Sequence, residues 1–251
     1  MKKIPLFFIL VSTTLFYLEG CKKTTGSPSA TLQPTNYMQL QSGKYIIYRL
    51  DSTEFVNFGT QTVVVSYQAM DVIDSLITDN LGRPSWRVFR YLSDTLGVQP
   101  WVPAETYLIT PTKQDVEVVE NNLRYIKLVY PIENGYNWSG NSYIDVTTDT
   151  FNVLTYMQGW NYVYDSVGLP FSALGGIVTN SITVNQVNDT IGTVGDAASF
   201  SEIDFSEEVY GQGIGLIYKN FLHQEYQPPN GSTSVGSTSG YGIRLNMLSH
   251  N

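Results

Sequence analysis

The chain has 251 residues, with 14 Lys and Arg against 22 Asp and Glu, and a single cysteine. A net charge of −8 repels nucleic-acid phosphates and anionic headgroups, which sets aside a nucleic-acid partner. One thiol excludes an internal disulfide or a cysteine-built zinc cluster, so the fold must be held by burial and hydrogen bonding alone.

The chain opens with Lys2 and Lys3, an apolar run from Ile4 to Tyr17, and then Leu18-Glu19-Gly20-Cys21. The lysines stay on the cytoplasmic side while the apolar run enters the export machinery. At roughly 14 residues the run is too short to span a bilayer as a helix. Leu18, Gly20 and Cys21 resemble the lipobox of bacterial lipoproteins, with Glu19 departing from its usual small or apolar residue. Residues 1–20 therefore read as a lipoprotein signal peptide and Cys21 as the lipid-attachment residue. Palmitate-type acyl chains there would hold the chain to a membrane, at ~0.8 kcal/mol per buried CH₂. Losing Lys2, Lys3 and Glu19 reduces the 14 basic and 22 acidic side chains to 12 and 21, a net −9. Lys22 after the cysteine is not an inner-membrane retention aspartate, and the following segment lacks an acidic surface-export run. These features point to the periplasmic face of the outer membrane.

Residues 21–36 are rich in Ser, Thr, Gly and Pro and read as a flexible tether, because they bury too little apolar surface to offset backbone ordering. Residues 37–251 read as one β-rich domain. Tyr45–Leu50 is a short aromatic and β-branched strand. Thr62–Ile77 and Ser85–Leu92 form a hairpin across the Asp79–Pro84 turn. Thr106–Thr110, Val116–Glu120 and Leu123–Tyr130 follow, the last two joined at Asn121-Asn122, with Lys127 facing away from Arg124, Ile126, Leu128 and Tyr130. Phe151–Asp165, Ser181–Val187 and Gly213–Tyr226 continue the pattern, the last placing Ile214, Leu216, Tyr218 and Leu222 on one side. Phe171–Leu174 or Asp196–Phe200 could form a single helical turn. Gln227–Gly240 is a long Ser- and Gly-rich loop before a final strand, Tyr241–Leu248. The predicted fold class is all-β, an antiparallel barrel, half-barrel or sandwich of about ten to twelve strands.

Asn36–Ser52, with its Tyr, Leu and Gly ahead of an aromatic strand ending in Asp51-Ser52, is similar to the opening of a family of Bacteroidota cell-envelope lipoproteins. Trp86–Tyr91, Glu208–Lys219 and Gly240–Leu248 resemble later strands of that family, although Ile46 stands where it often carries Trp. The resemblance implies a β-rich envelope lipoprotein and no particular activity.

Chemistry is sparse along the sequence. No Lys or Arg lies between Lys127 and Lys219 while ten acids do, but no loop has calcium-ligand spacing, and the acids read as solvated turn residues. His223 and Glu225 share a strand face without a nucleophile or third ligand. Glu202 and Asp204 share another, with Glu207 and Glu208 nearby; two carboxylates across a cleft could serve glycoside hydrolysis, but spacing within one segment does not establish a cleft. Gly211–Gly215 lacks phosphate-loop spacing and reads as a turn. No catalytic residue, metal ligand or cofactor is assigned. Aromatics are the remaining lead: Tyr136 and Trp138 in a polar glycine-bearing loop, and Trp160 after Gln158-Gly159, are the candidate ligand-binding residues. The expected function is a non-enzymatic binding or structural module with an envelope protein or glycan partner. Alternatives are a carrier of an apolar ligand in a barrel cavity, and a glycan-active enzyme.

Overall fold

The computed structural model describes residues 32–147, 154–231 and 234–251. The signal peptide, Cys21 and the start of the predicted Phe151–Asp165 strand lie outside those residues. Twelve strands are present: β1 Tyr45–Val56, β2 Gln61–Thr78, β3 Pro84–Ser93, β4 Val102–Pro111, β5 Asp115–Glu120, β6 Leu123–Val129, β7 Asn137–Trp138, β8 Tyr162–Ala173, β9 Gly176–Gly192, β10 Ser201–Gly211, β11 Gly215–Gln227 and β12 Ser237–His250. Two short 3-10 turns, Pro34–Tyr37 and Thr155–Met157, are the only helical elements among the described residues. All ladders are antiparallel within one sheet, ordered β6-β5-β4-β3-β2-β1-β12-β11-β10-β9-β8-β7. The sheet curls into a nearly closed barrel, which resolves the predicted choice between barrel and sandwich.

Closure falls between β6 and β7, neighbours in sequence that share no ladder. Here the Ile126 amide donates to the Gly140 carbonyl at 2.8 Å. The Trp138 indole donates to the Ile126 carbonyl at 2.8 Å. Tyr164 Oη accepts from the Val129 amide at 2.8 Å and donates to its carbonyl at 2.7 Å. Side chains thus satisfy edge groups that would otherwise invite another strand. Gly140 permits this approach: a Cβ there would sit 2.3 Å from the buried Tyr162 ring.

Local sequence explains the turns. Asn121 and Asn122 both adopt positive φ, 53° and 62°, the geometry a two-residue hairpin turn demands. The Asp79 carboxylate accepts from the Leu81 and Arg83 amides, each at 2.9 Å. Arg83 then reaches Glu117 at 2.7 Å and 2.9 Å, where Arg124 also pairs, pinning the β2–β3 turn over the β5–β6 hairpin.

Strand lengths differ from expectation. The segment before Tyr162 contains the Thr155–Met157 turn rather than strand, Phe171–Ala173 is the end of β8, and Asp196–Phe200 is a turn region. The final loop is shorter, since β12 begins at Ser237. Two bulges change which way side chains point. The one in β11, opposite Val209 and Tyr210, separates Leu216 from Tyr218 and Leu222, and turns Lys219 and Phe221 toward the lumen. Another, in β6 opposite Val116 and Glu117, buries Lys127 and Leu128 together.

One end of the barrel is covered by residues 34–40. Tyr37 is fully buried, its hydroxyl 3.3 Å from Asn180 Oδ1, and the Gly213 amide donates to the Asn36 carbonyl at 2.8 Å. The other end is ringed by the β10 start, the β11 end and the β5–β6 turn.

Candidate functional site: a charged belt, two chambers and an acidic rim

A belt of charge crosses the barrel interior. Arg90 on β3 donates to both Asp71 carboxylate oxygens on β2, each at 2.7 Å, and to Glu105 on β4 at 3.1 Å. The Tyr107 hydroxyl donates to Asp71 at 2.9 Å. Lys219 lies 3.6 Å from Glu120 and 3.9 Å from Glu208. Lys127 donates to Glu208 at 2.7 Å, and Gln186 and Tyr210 complete that carboxylate at 2.8 Å and 2.6 Å. Arg90, Lys127 and Lys219 therefore face Asp71, Glu105, Glu120 and Glu208, and each cation has a carboxylate partner.

The titration behaviour follows from this packing. Burial alone would raise Glu208, but the Lys127 and Lys219 ammonium groups and the hydrogen bonds hold it below the usual carboxylate range. Glu120 falls to about 2, chiefly through Lys219. Glu105 moves the other way, raised by burial and by the Glu120 charge. Burial pushes the Tyr48, Tyr107 and Tyr210 phenols well up, so they remain donors.

The belt separates two chambers, both of which touch Arg90, Glu120, Lys127 and Lys219. Toward the covered end lies a space of about 80 Å³ walled mainly by apolar groups such as Leu40, Ile46, Ile73 and Ile214. Toward the other end lies a space of about 390 Å³, within the ~300–1,000 Å³ range of small-molecule sites. Tyr125, Trp160, Tyr162, Phe221 and Tyr241 supply its aromatic wall, and Glu105, Asn121, Gln186 and Ser206 its polar groups. Glu105 Oε1 is buried and has no hydrogen-bond partner.

At the rim of this larger chamber, β10 and β11 place His223 opposite Asp204 and Glu225 opposite Glu202. His223 Nδ1 lies 2.8 Å from Asp204 Oδ1. Burial and the neighbouring Asp204 raise Glu202. The Tyr156 ring stacks on the imidazole at 4.0 Å and 14°, and packs edgewise on Trp160 and Phe221 at 5.9 Å and 6.4 Å. The Tyr156 hydroxyl is 3.4 Å from that of Tyr241.

The structure separates the candidate aromatics. Tyr136 is 39% exposed in the turn before β7. Trp138 belongs to the seam, its ring 4.7 Å from Tyr164 and 5.8 Å from Tyr162. Trp160 is not an exposed loop residue; it is buried, donates to the Tyr156 carbonyl at 2.7 Å, and lines the large chamber. The four β10 acids also part company, with Glu202 and Asp204 at the rim, Glu208 in the belt and Glu207 on the opposite strand face. Glu105, Glu120 and His223 with Asp204 were hidden in the sequence because each pairing spans strands. Hairpin register joins His223 to Asp204 and Arg90 to Glu105, while Lys219 reaches Glu120 across the lumen.

No protein-family model matches the chain, and no curated protein matches it. Among solved structures, it is similar to a crystal structure from Bacteroides fragilis of a protein assigned as exported and described as having a YmcC-like fold. Identity is 9%, with 84% of this chain and 96% of that chain covered and a TM-score of 0.33.

Proposed function

We propose that the chain is a lipid-anchored cell-envelope binding module that takes a neutral, hydroxyl-rich ring ligand of the saccharide class into its larger chamber. The observation that carries this reading is the 390 Å³ chamber itself, in which an aromatic wall meets the polar groups of Glu105, Asn121, Gln186 and Ser206. Aromatic faces suit the apolar faces of a sugar ring, and the amide and hydroxyl groups of Gln186, Asn121 and Ser206 suit its edges. An anionic ligand is disfavoured because the three lumenal cations are already matched by carboxylates. A hydrocarbon is disfavoured by the charged floor.

The anchor is carried by the leader and Cys21. Fatty-acyl mass on Cys21 would support it, and a mature chain without that mass would remove it. Reaction of intact cells with a membrane-impermeant reagent would report the face.

Binding is tested by screening the full chain against an oligosaccharide array, followed by calorimetry on the hits. Tyr241→Ala and Glu105→Ala are each expected to weaken binding at least tenfold, while Phe58→Ala at the exposed β1–β2 turn leaves it unchanged. No saccharide binding, or co-purification of a fatty acyl chain seated in the chamber, would overturn the assignment, the latter in favour of an apolar carrier.

A further inference from the structure

We propose that Glu202, Asp204 and His223 form a binding site for a divalent first-row transition ion, with Zn²⁺ the best fit, at the rim of the large chamber. One carboxylate oxygen from each acid and one imidazole nitrogen lie within 4.8 Å of one another. Donors about 2.0–2.2 Å from a shared zinc lie at most about 4.4 Å apart, so small side-chain rotations on the fixed strands draw the three together as the ion binds.

The scaffold is rigid. Glu202 and Asp204 are two residues apart on β10 and point to one face, and His223 is directly across the β10–β11 ladder from Asp204. Tyr156, stacked at 4.0 Å, fixes the plane of the imidazole. Ligands preset in this way lose little freedom when an ion binds.

The local charge balance separates this cluster from the lumenal belt. In the belt every carboxylate faces Arg or Lys. Among the described residues, no Arg or Lys makes an ion pair with Glu202, Asp204 or Glu225, and the one ion-pair partner of Asp204 is His223. A divalent ion supplies the missing positive charge. An imidazole nitrogen among carboxylates disfavours Ca²⁺ and Mg²⁺, which prefer all-oxygen shells, and suits Zn²⁺. Three protein ligands leave a fourth position open, as in sites where a bound water or ligand oxygen completes the shell.

The test titrates Zn²⁺, and separately Ca²⁺, into full-length chelator-treated chain by calorimetry. Every sample carries Cys21→Ser so that the thiol cannot ligate. One Zn²⁺ per chain is expected with micromolar or tighter affinity, at least tenfold tighter than Ca²⁺. Asp204→Asn and His223→Gln should each weaken it at least tenfold, and His250→Gln should leave it unchanged. Metal-free melting curves establish that the variants are folded, and Glu202→Gln replaces any variant that is not. Absence of saturable Zn²⁺ binding, binding that survives loss of His223, or preference for Ca²⁺ would overturn the proposal. None of these readouts involves a saccharide, so this site and the chamber reading stand or fall separately.

Discussion

Glu208→Gln should lower the free energy of unfolding by about 3–5 kcal/mol, as expected when one partner of a buried ion pair loses its charge. Glu208 is 2% exposed, and its carboxylate receives Lys127, Gln186 and Tyr210. Removing the charge leaves the Lys127 ammonium, 7% exposed, without a carboxylate and at high desolvation cost. Pairing the change with Lys127→Met should recover at least half of the loss, because the stranded charge is then gone too. Urea unfolding of the two single variants and the double variant closes the cycle. A loss below about 1 kcal/mol for Glu208→Gln would mean that water reaches the belt. The Lys127–Glu208 pair would then not be the dry contact that its burial implies.

Acid should unfold the barrel within a defined window, and Glu120 should set much of its slope. Lys219 holds the folded Glu120 carboxyl at about 2, with Arg90 and Lys127 adding to the effect against the opposing burial. An unfolded glutamate titrates near 4.3, so the unfolded chain takes up the proton first as pH falls. The contribution of Glu120 is therefore complete above roughly pH 4.5, and is lost between there and pH 2, on the order of 3 kcal/mol. Glu208 and Glu117 are also lowered and act in the same direction. Glu105 is raised and acts in the opposite sense: its protonated form favours the folded state, and that advantage fades as pH rises through the folded titration. Urea midpoints at pH 6, 4 and 3 should fall steeply for the wild type and less steeply for Glu120→Gln. Equal slopes would show that Glu120 is solvated in the folded chain.

The extent to which sequence anticipates this molecule depends on the range of the signal. Val63, Val64, Val65 and Tyr67 announce β2 because strand propensity is local, and Asn121-Asn122 announces its turn because positive φ is a property of two residues. β10 is harder to see, since Glu202, Asp204, Glu207 and Glu208 read as solvent-facing acids. In the fold, Asp204 and Glu208 are buried. The belt was illegible for the same reason: Arg90 and Asp71 are 19 residues apart, and Lys127 and Glu208 are 81 apart. Bulges add a second obstacle. One extra residue in β6 or β11 inverts the alternation on which any inside-or-outside reading depends. Trp160 stands out in the sequence for its chemistry, yet its place in a chamber wall follows from Tyr162, Phe221 and Tyr241 arriving from strands.

Apart from the β1–β12 contact, every ladder joins strands that are consecutive in the chain. The Tyr45 amide reaches Asn251 Oδ1 across 206 residues. Hairpins can zip as they emerge, but this pairing has to wait for β12, and doubling a loop adds only about 0.6 kcal/mol to its closure. During synthesis the polypeptide would therefore persist as a curved ribbon with two bare edges, and the fourteen-residue strand β12 would act as the fastener. Truncations that spare every lumenal side chain but trim that strand would leave a sticky intermediate, the form in which such a chain meets chaperones or self-associates.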